Sequence, residues 1–171
     1  NIRASYADEA DKAVQHLATI GIRRIAVVYQ NNAFGKEVFD SAQQAIAEAK
    51  LPPAPNVTVE NDSSDAASAA AKLAEGNPAA VLIGLAGKPA LEFVKAFRPL
   101  RKGVTLYALS VLGTSANIKA LGPNAVGMAV SQVVPLPTNT IVPIVREFQQ
   151  ALKSLGTPAD ASHLALEGYI N

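Results

Sequence analysis

The sequence predicts an α/β protein, a three-layer α/β/α sandwich around a doubly wound, mostly parallel sheet of about five strands. The main observation is that short apolar runs rich in β-branched residues alternate with longer segments of helical period. This alternation is typical of βα units around a parallel sheet. The strongest runs are also continuously apolar, as expected for strands that helices cover on both faces.

The first predicted element is a helix that ends near Gly21 and precedes any strand. Its apolar face consists of Tyr6, Ala10, Ala13, Val14 and Leu17. A strand buried on both faces follows at residues 25–29, and the next helical stripe runs over residues 34–49. Pro52 and Pro53 end that helix, because proline cannot continue it.

The rest of the chain repeats the same alternation. Further strands are predicted at residues 57–59, 79–85, 105–111 and 127–134. Further helices are predicted at residues 66–75, 87–100, 115–121 and 141–155, with a last one starting near Ser162. The polar turn over residues 61–65 is expected to cap the helix that follows it. The last helical pattern still runs at Asn171, so we expect residues 1–171 to be a single α/β domain excised from a longer chain.

The composition excludes several classes of function. Fifteen basic and fourteen acidic residues leave a net charge of +1, which gives no electrostatic basis for binding nucleic acid. Cysteine is absent, so there is neither a disulfide framework nor a thiolate site. No apolar run approaches the roughly 18 residues that span a bilayer.

Residue patterns for catalysis and for cofactors are missing as well. The glycines of Gly84-Leu85-Ala86-Gly87 fit neither dinucleotide nor P-loop spacing. Ser110 lacks the glycine-flanked elbow of a nucleophilic serine. Two histidines are too few for most metal sites, and the strand ends lack the acidic residues of a phosphoacceptor domain. We therefore predict no enzyme activity, no cofactor and no metal.

Several stretches resemble one family of receptors. These stretches are Arg3 to Glu9, Arg24 to Gln30, Asn31 to Lys36, Val130 to Pro135 and Leu166 to Ile170. Together they look like the second lobe of the leucine/isoleucine/valine-binding family, the type I periplasmic binding proteins that serve ABC importers. The resemblance covers nearly the whole chain, although no single motif is diagnostic.

The resemblance implies a function as well as a fold. In this family two α/β lobes close on a small ligand in the cleft between them. The expected ligand is a branched-chain amino acid or a related carboxylate or amide. The expected partner is the permease of a membrane importer. The expected location is the periplasm, or the cell exterior with attachment through a removed or lipidated N-terminus.

The resemblance also points to candidate binding residues. The family's aromatic residue after the first strand falls on Phe34, and its second aromatic falls on Ala86 or Gly87, where no ring exists. The acidic residue that pairs with a ligand ammonium would lie near Ser110 or Val111. The candidate ligand-binding residues are Phe34, Asn32, Ala86, Gly87, Ser110, Val111 and Gln132.

Each candidate also has a structural interpretation. Phe34 can serve as a hydrophobic staple at a helix start, Asn32 as a turn or cap residue, and Gln132 as a brace for the hinge. Since Ser110 and Val111 are not acidic, the sequence predicts a neutral, apolar lid. Either Ser110 and nearby carbonyls suffice to bind an ammonium, or the ligand is not an amino acid. The lid favours the second alternative, because a buried ammonium without a counter-charge is costly.

Two other classes of function stay open at this point. The same two-lobed fold also forms the sensory core of transcription regulators, which a DNA-binding helix-turn-helix before residue 1 would reveal. An enzyme on a doubly wound sheet is the third class. It would need a catalytic cluster that this sequence does not supply.

Overall fold

The computed structural model describes residues 3–157 and 161–171. These residues fall into two compact units. The first, which we call the sheet unit, is Ala4–Ser131. The second, which we call the C-terminal unit, consists of Arg3 and the described residues of Gln132–Asn171. The prediction of a single domain that forms one lobe of a longer receptor stays a prediction.

The sheet unit contains five strands that are all parallel, in the order β2-β1-β3-β4-β5. The strands are β1 Ile25–Gln30, β2 Asn56–Val59, β3 Ala80–Gly84, β4 Thr105–Ala108 and β5 Met128–Val130. The helices of this unit are α1 Tyr6–Thr19, α2 Ala33–Glu48, α3 Ala66–Glu75, α4 Gly87–Leu100 and α5 Ser115–Leu121. The predicted α/β class, with a parallel five-stranded sheet flanked by helices, is therefore confirmed.

The two faces of the sheet bury two separate apolar clusters. In β1, Ile25 and Val27 belong to the cluster that α1 and α2 cover. Ala26 and Val28 belong to the cluster that α3 and α4 cover. All residues of β3 are buried. Burial on both faces explains why these strands are continuously apolar in the sequence.

Two glycines allow α2 to approach the sheet closely. A Cβ atom at Gly35 would lie 2.0 Å from the carbonyl oxygen of Gln30. A Cβ atom at Gly84 would lie 2.7 Å from a methyl carbon of Val38. Because such distances are far inside van der Waals contact, only glycine fits at these two positions. The start of α2 therefore lies directly against the ends of β1 and β3.

The C-terminal unit contains two helices, α6 Pro143–Ser154 and α7 His163–Ile170. Val145, Phe148 and Leu166 form its buried core. Arg3 donates to the Glu167 carboxylate at 3.0 Å within this unit. The two helices confirm the pattern read from the sequence, and α7 ends at Ile170.

Two strand predictions extend too far, and one capping prediction is wrong. β4 ends at Ala108 because residues Ser110–Leu112 form a 3₁₀ turn, and β5 is limited to Met128–Val130. Asp65 occupies the N-cap of α3 but makes no side-chain capping bond. Its carboxylate accepts instead from the amide of Glu60 at 2.8 Å. The side chain thus closes the preceding loop rather than the helix.

Candidate functional site

The carboxyl ends of the parallel strands meet at one edge of the sheet, which we call the carboxyl edge. β1 and β3 are neighbours there, but α2 follows β1 on one face and α4 follows β3 on the other. Such a topological switch point opens a crevice, and open α/β sheets bind ligands at this position. Asn32 follows β1, while Ala86 and Gly87 follow β3. The fold therefore brings these three predicted residues to the switch point.

Side-chain amides connect the loops at this switch point. Gln30 accepts from the Ala86 amide at 3.1 Å and donates to Asn61 Oδ1 at 2.8 Å. Asn32 donates to the same Asn61 oxygen at 2.8 Å, and Asn61 donates to the Asn31 carbonyl at 3.1 Å. We call Gln30, Asn31, Asn32 and Asn61 the amide network. It joins the ends of β1, β2 and β3, and Asn31 also donates to the Glu60 carboxylate at 2.7 Å.

Asn32 is part of the local framework as well as a candidate for binding. It is the N-cap of α2, and its Oδ1 accepts from the Gly35 amide at 2.9 Å. Its Nδ2 is already bound to Asn61. Both ends of this side chain therefore contact the protein. The capping role is the one that the structure displays.

Phe34 lies half-buried at the start of α2. Its ring meets the ring of Tyr6 edge-to-face, with 4.9 Å between centroids and 80° between planes. Aromatic pairs favour this geometry because the positive edge of one ring faces the negative face of the other. The contact orients Phe34 and ties α2 to the start of α1.

Ala86 and Gly87, at the start of α4, have no large side chain that could cover a ligand. Ala86 is its N-cap and provides no side-chain capping bond. Gly87 is exposed and has φ +56°, a conformation that strains residues with a Cβ. A Cβ at Gly87 would meet no atom within 4 Å. Backbone conformation, rather than lack of space, therefore explains the glycine.

A buried carboxylate lies beside Ser110. Glu9, in the first turn of α1, is only 5% exposed. Its oxygens accept from the Ser110 hydroxyl and the Ser110 amide, each at 2.8 Å, and from the Ser131 hydroxyl. We call Glu9, Ser110 and Ser131 the acidic node. It joins α1 to the ends of β4 and β5.

The acidic node overturns the expectation of a neutral lid near Ser110 and Val111. The sequence has no acidic residue next to Ser110, but α1 supplies one from 101 residues away along the chain. α1 runs antiparallel to β1, so its N-terminal turn lies at the carboxyl edge. Acidic side chains favour the first turn of a helix because of the helix dipole, so Glu9 looks unremarkable in the sequence.

Tyr107 lies on β4 close to the acidic node. Burial raises the pKa of Tyr107 above its ordinary value of about 10, and the negative charge of Glu9 raises it further. The hydroxyl therefore stays protonated throughout the physiological range. Its ring centroid lies 6.1 Å from that of the exposed His16.

The two remaining predicted residues lie in different units. Val111 is half-buried in the 3₁₀ turn after β4 and packs against the cluster under α1 and α2. Gln132 is exposed and belongs to the C-terminal unit, whose long segment begins at this residue. The sheet unit therefore brings together six of the seven candidates along its carboxyl edge.

A separate groove of about 290 Å³ lies beside the stacked rings of Tyr29 and Phe39. Asn32 and Lys36 line it, together with Thr58 of the edge strand. Phe34, Ala86 and Ser110 do not line it. Gln30 and Asn31 of the amide network also line the groove, so it adjoins the switch point and contains one candidate residue, Asn32.

Sequence reasoning missed Glu9, Gln30 and Ser131 as parts of this edge. Gln30 had a usable signal, since it follows the predicted strand at residues 25–29, whereas Ser131 lies inside the strand predicted at residues 127–134. Among residues 3–157 and 161–171, no group of three or more metal-ligating side chains is present. In the same part of the chain, no helix is both long and apolar enough to cross a membrane.

The comparisons with known proteins agree with this architecture. A family model described as periplasmic binding protein matches residues 1–171. A possible leucine/isoleucine/valine-binding protein from Rhodopirellula baltica matches with 28% identity and a TM-score of 0.87, over 98% of this chain and 47% of that one. A substrate-binding periplasmic protein from Ralstonia solanacearum matches with 29% identity and a TM-score of 0.78, over 98% and 48%.

An extracellular ligand-binding receptor from Verminephrobacter eiseniae matches with 27% identity and a TM-score of 0.84, over 99% of this chain and 49% of that one. The chain therefore spans about half the length of these structures. No curated protein sequence matches it. An α/β sheet with a polar crevice at its switch point defines a class of ligand-binding folds. Within that class, the chain belongs to the periplasmic binding protein family.

Proposed function

We propose that this chain is the ligand-gripping lobe of an extracytoplasmic solute receptor. In this proposal the receptor captures a small metabolite by hinge closure and delivers it to the permease of an ABC importer. The family match supports the class of receptor. The likeness to structures described as substrate-binding and extracellular ligand-binding proteins supports the location outside the cytoplasm.

The observation that carries the proposal is the switch point between β1 and β3. Two sets of polar side chains flank it, the amide network on one side and the acidic node on the other. Ligand sites of this kind need a few polar groups held in place beside apolar surface. The half-buried ring of Phe34 supplies apolar surface at the same edge.

The proposed ligand is a branched-chain amino acid or a related carboxylate or amide. The relative from Rhodopirellula baltica is described as a possible leucine/isoleucine/valine-binding protein. Glu9 removes the earlier argument against ligands with an ammonium, because a carboxylate lies at the carboxyl edge after all. Amino acids therefore join acids and amides as candidates on equal terms.

The proposal is tested by thermal shift of the full-length protein that contains this chain, against amino acids, aliphatic and aromatic acids, and their amides. A ligand of the native state raises the melting temperature by mass action. We expect a concentration-dependent rise with at least one compound. No rise with any of them at millimolar concentration would contradict the proposed ligand class.

The position of the ligand is tested with a matched pair of ring deletions. Phe34→Ala removes a half-buried ring at the carboxyl edge, and Phe39→Ala removes a half-buried ring from the same helix beside the separate groove. We expect Phe34→Ala alone to weaken binding of the compound found by thermal shift, by about tenfold or more, as measured by calorimetry. Weakening by Phe39→Ala alone would place the ligand in the groove instead.

A further inference from the structure

The loops at the amino ends of the five strands carry charges of one sign. Each of these loops leads from a helix into a strand, and together they are residues 20–24, 49–55, 76–79, 101–104 and 122–127. They contain five basic residues and no acidic residue. The basic residues are Arg23, Arg24, Lys50, Arg101 and Lys102. We call this end of the sheet unit the amino edge.

The loops that lead from the strands into the following helices carry the opposite charge. Glu60, Asp62 and Asp65 lie in the loop between β2 and α3. The corresponding loops after β1, β3 and β4 contain no charged residue. The two ends of the strands therefore differ in the sign of their charge, although the whole chain has a net charge of only +1.

The basic loops lie side by side along the amino edge. Arg23 donates to the Lys50 carbonyl at 3.3 Å, and the Arg24 carbonyl accepts at 2.8 Å from an amide of the loop before β3. Arg101, before β4, donates to Asn77 of that same loop at 3.0 Å. Since neighbouring strands lie about 4.8 Å apart, the basic loops from β2 to β4 span only about 14 Å.

The basic side chains of the amino edge are accessible to a partner. Arg101 is half-buried, and the other four, Arg23, Arg24, Lys50 and Lys102, are exposed. Among the described residues, none of the five forms an ion pair. Their charges are therefore not neutralised by acidic side chains of the sheet unit.

The helix ends beside these loops change the balance little. Lys72 lies in the last turn of α3, and Glu48 and Glu75 are the last residues of α2 and α3. Five basic loop residues and Lys72, less these two glutamates, leave a net charge of +4 at the amino edge. The buried guanidinium of Arg98 lies beneath the loop before β4, where it donates to the Lys102 carbonyl at 3.3 Å.

The amino edge also carries exposed apolar side chains. The exposed large apolar residues of the sheet unit are Ile20, Leu100 and Val126, at 56%, 53% and 76% exposure. Ile20 and Val126 lie in the loops of this edge, and Leu100 directly precedes Arg101. Cations near helix C-termini also offset the helix dipoles, but that role does not account for large apolar side chains in water.

We propose that the amino edge is a peripheral binding surface for an anionic phospholipid bilayer. The basic side chains contact the lipid phosphates, and the three apolar side chains reach the boundary with the acyl chains. An acidic protein surface would match the charge alone, whereas a bilayer matches both the charge and the apolar side chains. The carboxyl edge, at the opposite ends of the strands, stays free for a ligand. The inference goes beyond the proposed function and does not depend on the ligand.

The test is cosedimentation of the full-length protein with lipid vesicles. One set of vesicles contains phosphatidylcholine alone, and the other contains equal parts of phosphatidylcholine and phosphatidylglycerol. We expect binding to be about tenfold or more tighter with phosphatidylglycerol, and to weaken as salt shortens the Debye length from about 30 Å at 0.01 M to about 8 Å at 0.15 M. Absence of binding at low salt, or equal binding to both sets, would overturn the proposal.

Neutralising two charges locates the lipid-binding surface. Arg24→Gln with Lys102→Gln changes two exposed side chains that bond to no other described residue, so we expect the fold to be kept. The Kd for phosphatidylglycerol vesicles is expected to rise about twentyfold, since each basic residue at an anionic surface contributes about fivefold. The control is Lys12→Gln with Lys95→Gln, the same change of net charge on exposed helix faces. Equal weakening by both pairs would assign the binding to net charge and overturn the proposal.

The apolar contribution is tested by Ile20→Ser with Val126→Ser, which keeps every charge. We expect vesicle binding to weaken several-fold with the salt dependence of the wild type, and unchanged binding would overturn the insertion of these side chains. Binding to soluble polyglutamate but not to vesicles would assign the amino edge to an acidic protein surface and overturn the membrane proposal. A ligand-induced rise in melting temperature is expected to be the same in all variants, which shows that they are folded and keeps the two proposals distinguishable.

Discussion

The two halves of the carboxyl edge are held together by different chemistry. Around β1, β2 and β3 the loops are joined mainly by side-chain amides that are half-buried or exposed, and the Glu60 carboxylate accepts from Asn31. Around β4 and β5 they are joined by one buried carboxylate, that of Glu9, which accepts from Ser110 and Ser131. From this difference we expect the distributed amide bonds to tolerate the loss of one member, whereas a node around a charge depends on that charge.

The largest expected effect comes from the close approach that supports the neutral half. Gly35→Ala would place a Cβ 2.0 Å from the Gln30 carbonyl oxygen, so α2 has to move. We expect a loss of about 3 kcal/mol in the free energy of unfolding, because overpacking against the backbone cannot relax easily. Urea unfolding followed by circular dichroism measures it.

Gly103→Ala is the control for that substitution. A Cβ at Gly103 meets no atom within 4 Å, so we expect a change within about 0.5 kcal/mol. Equal effects of the two substitutions would show that crowding against Gln30 is not what selects glycine at position 35.

The next effect concerns the charged half. Glu9→Ala removes the carboxylate that accepts from the Ser110 and Ser131 hydroxyls and from the Ser110 amide. We expect a cost of about 2 kcal/mol in the free energy of unfolding, against less than about 0.5 kcal/mol for Glu37→Ala on the exposed face of α2. If the two substitutions cost the same, the node contributes nothing particular to stability.

A smaller effect is expected in the amide network. Asn61→Ala removes the oxygen that Gln30 and Asn32 share, but the side chains of these two residues can turn to water. We expect a loss of about 1 kcal/mol, half or less of the cost of Glu9→Ala. Gln44→Ala, which removes one local bond to Glu48, serves as the control. A cost for Asn61→Ala above that for Glu9→Ala would reverse the ranking of the two halves.

The smallest effect at neutral pH comes from Tyr107. Burial and Glu9 raise its pKa in the folded protein, so the folded state holds the phenol proton more tightly than the unfolded state. The resulting stability is fully present below the unfolded pKa of about 10 and is lost as the pH rises through the folded value. We expect Tyr107→Phe to unfold less readily than the wild type at alkaline pH, in melting curves recorded as the pH is raised. An identical alkaline profile would refute this.

The sequence predicts the fold well because the fold follows from periodic burial. Strands β1 and β3 are apolar without interruption, since helices cover both faces, and the helices repeat every 3.6 residues. The ends of β4 and β5 were predicted too long, because further apolar residues, Val111 and Leu112 in one case and Val133 and Val134 in the other, lie beyond the last residues of the strands. Apolar character marks burial and does not mark where hydrogen bonding to a neighbouring strand stops.

The candidate site was less accessible to sequence reasoning. The edge itself follows from parallel topology, so Asn32, Ala86 and Ser110 were placed correctly at strand ends. The partner of Ser110 could not be found, because Glu9 reaches it from a helix that precedes the first strand. Asn32 was ambiguous for a related reason, since an asparagine after a strand suits both a cap and a ligand contact.

The two outer strands of the sheet have a consequence for self-association. An unpaired strand edge can recruit a strand from another copy of the protein, and short or proline-flanked edges discourage this. β5 has three residues and β2 has four, and β2 directly follows Pro55 in a segment that also contains Pro52 and Pro53. Each edge of the sheet therefore offers few unpaired backbone groups to a strand from another copy. This disfavours self-association through strand pairing.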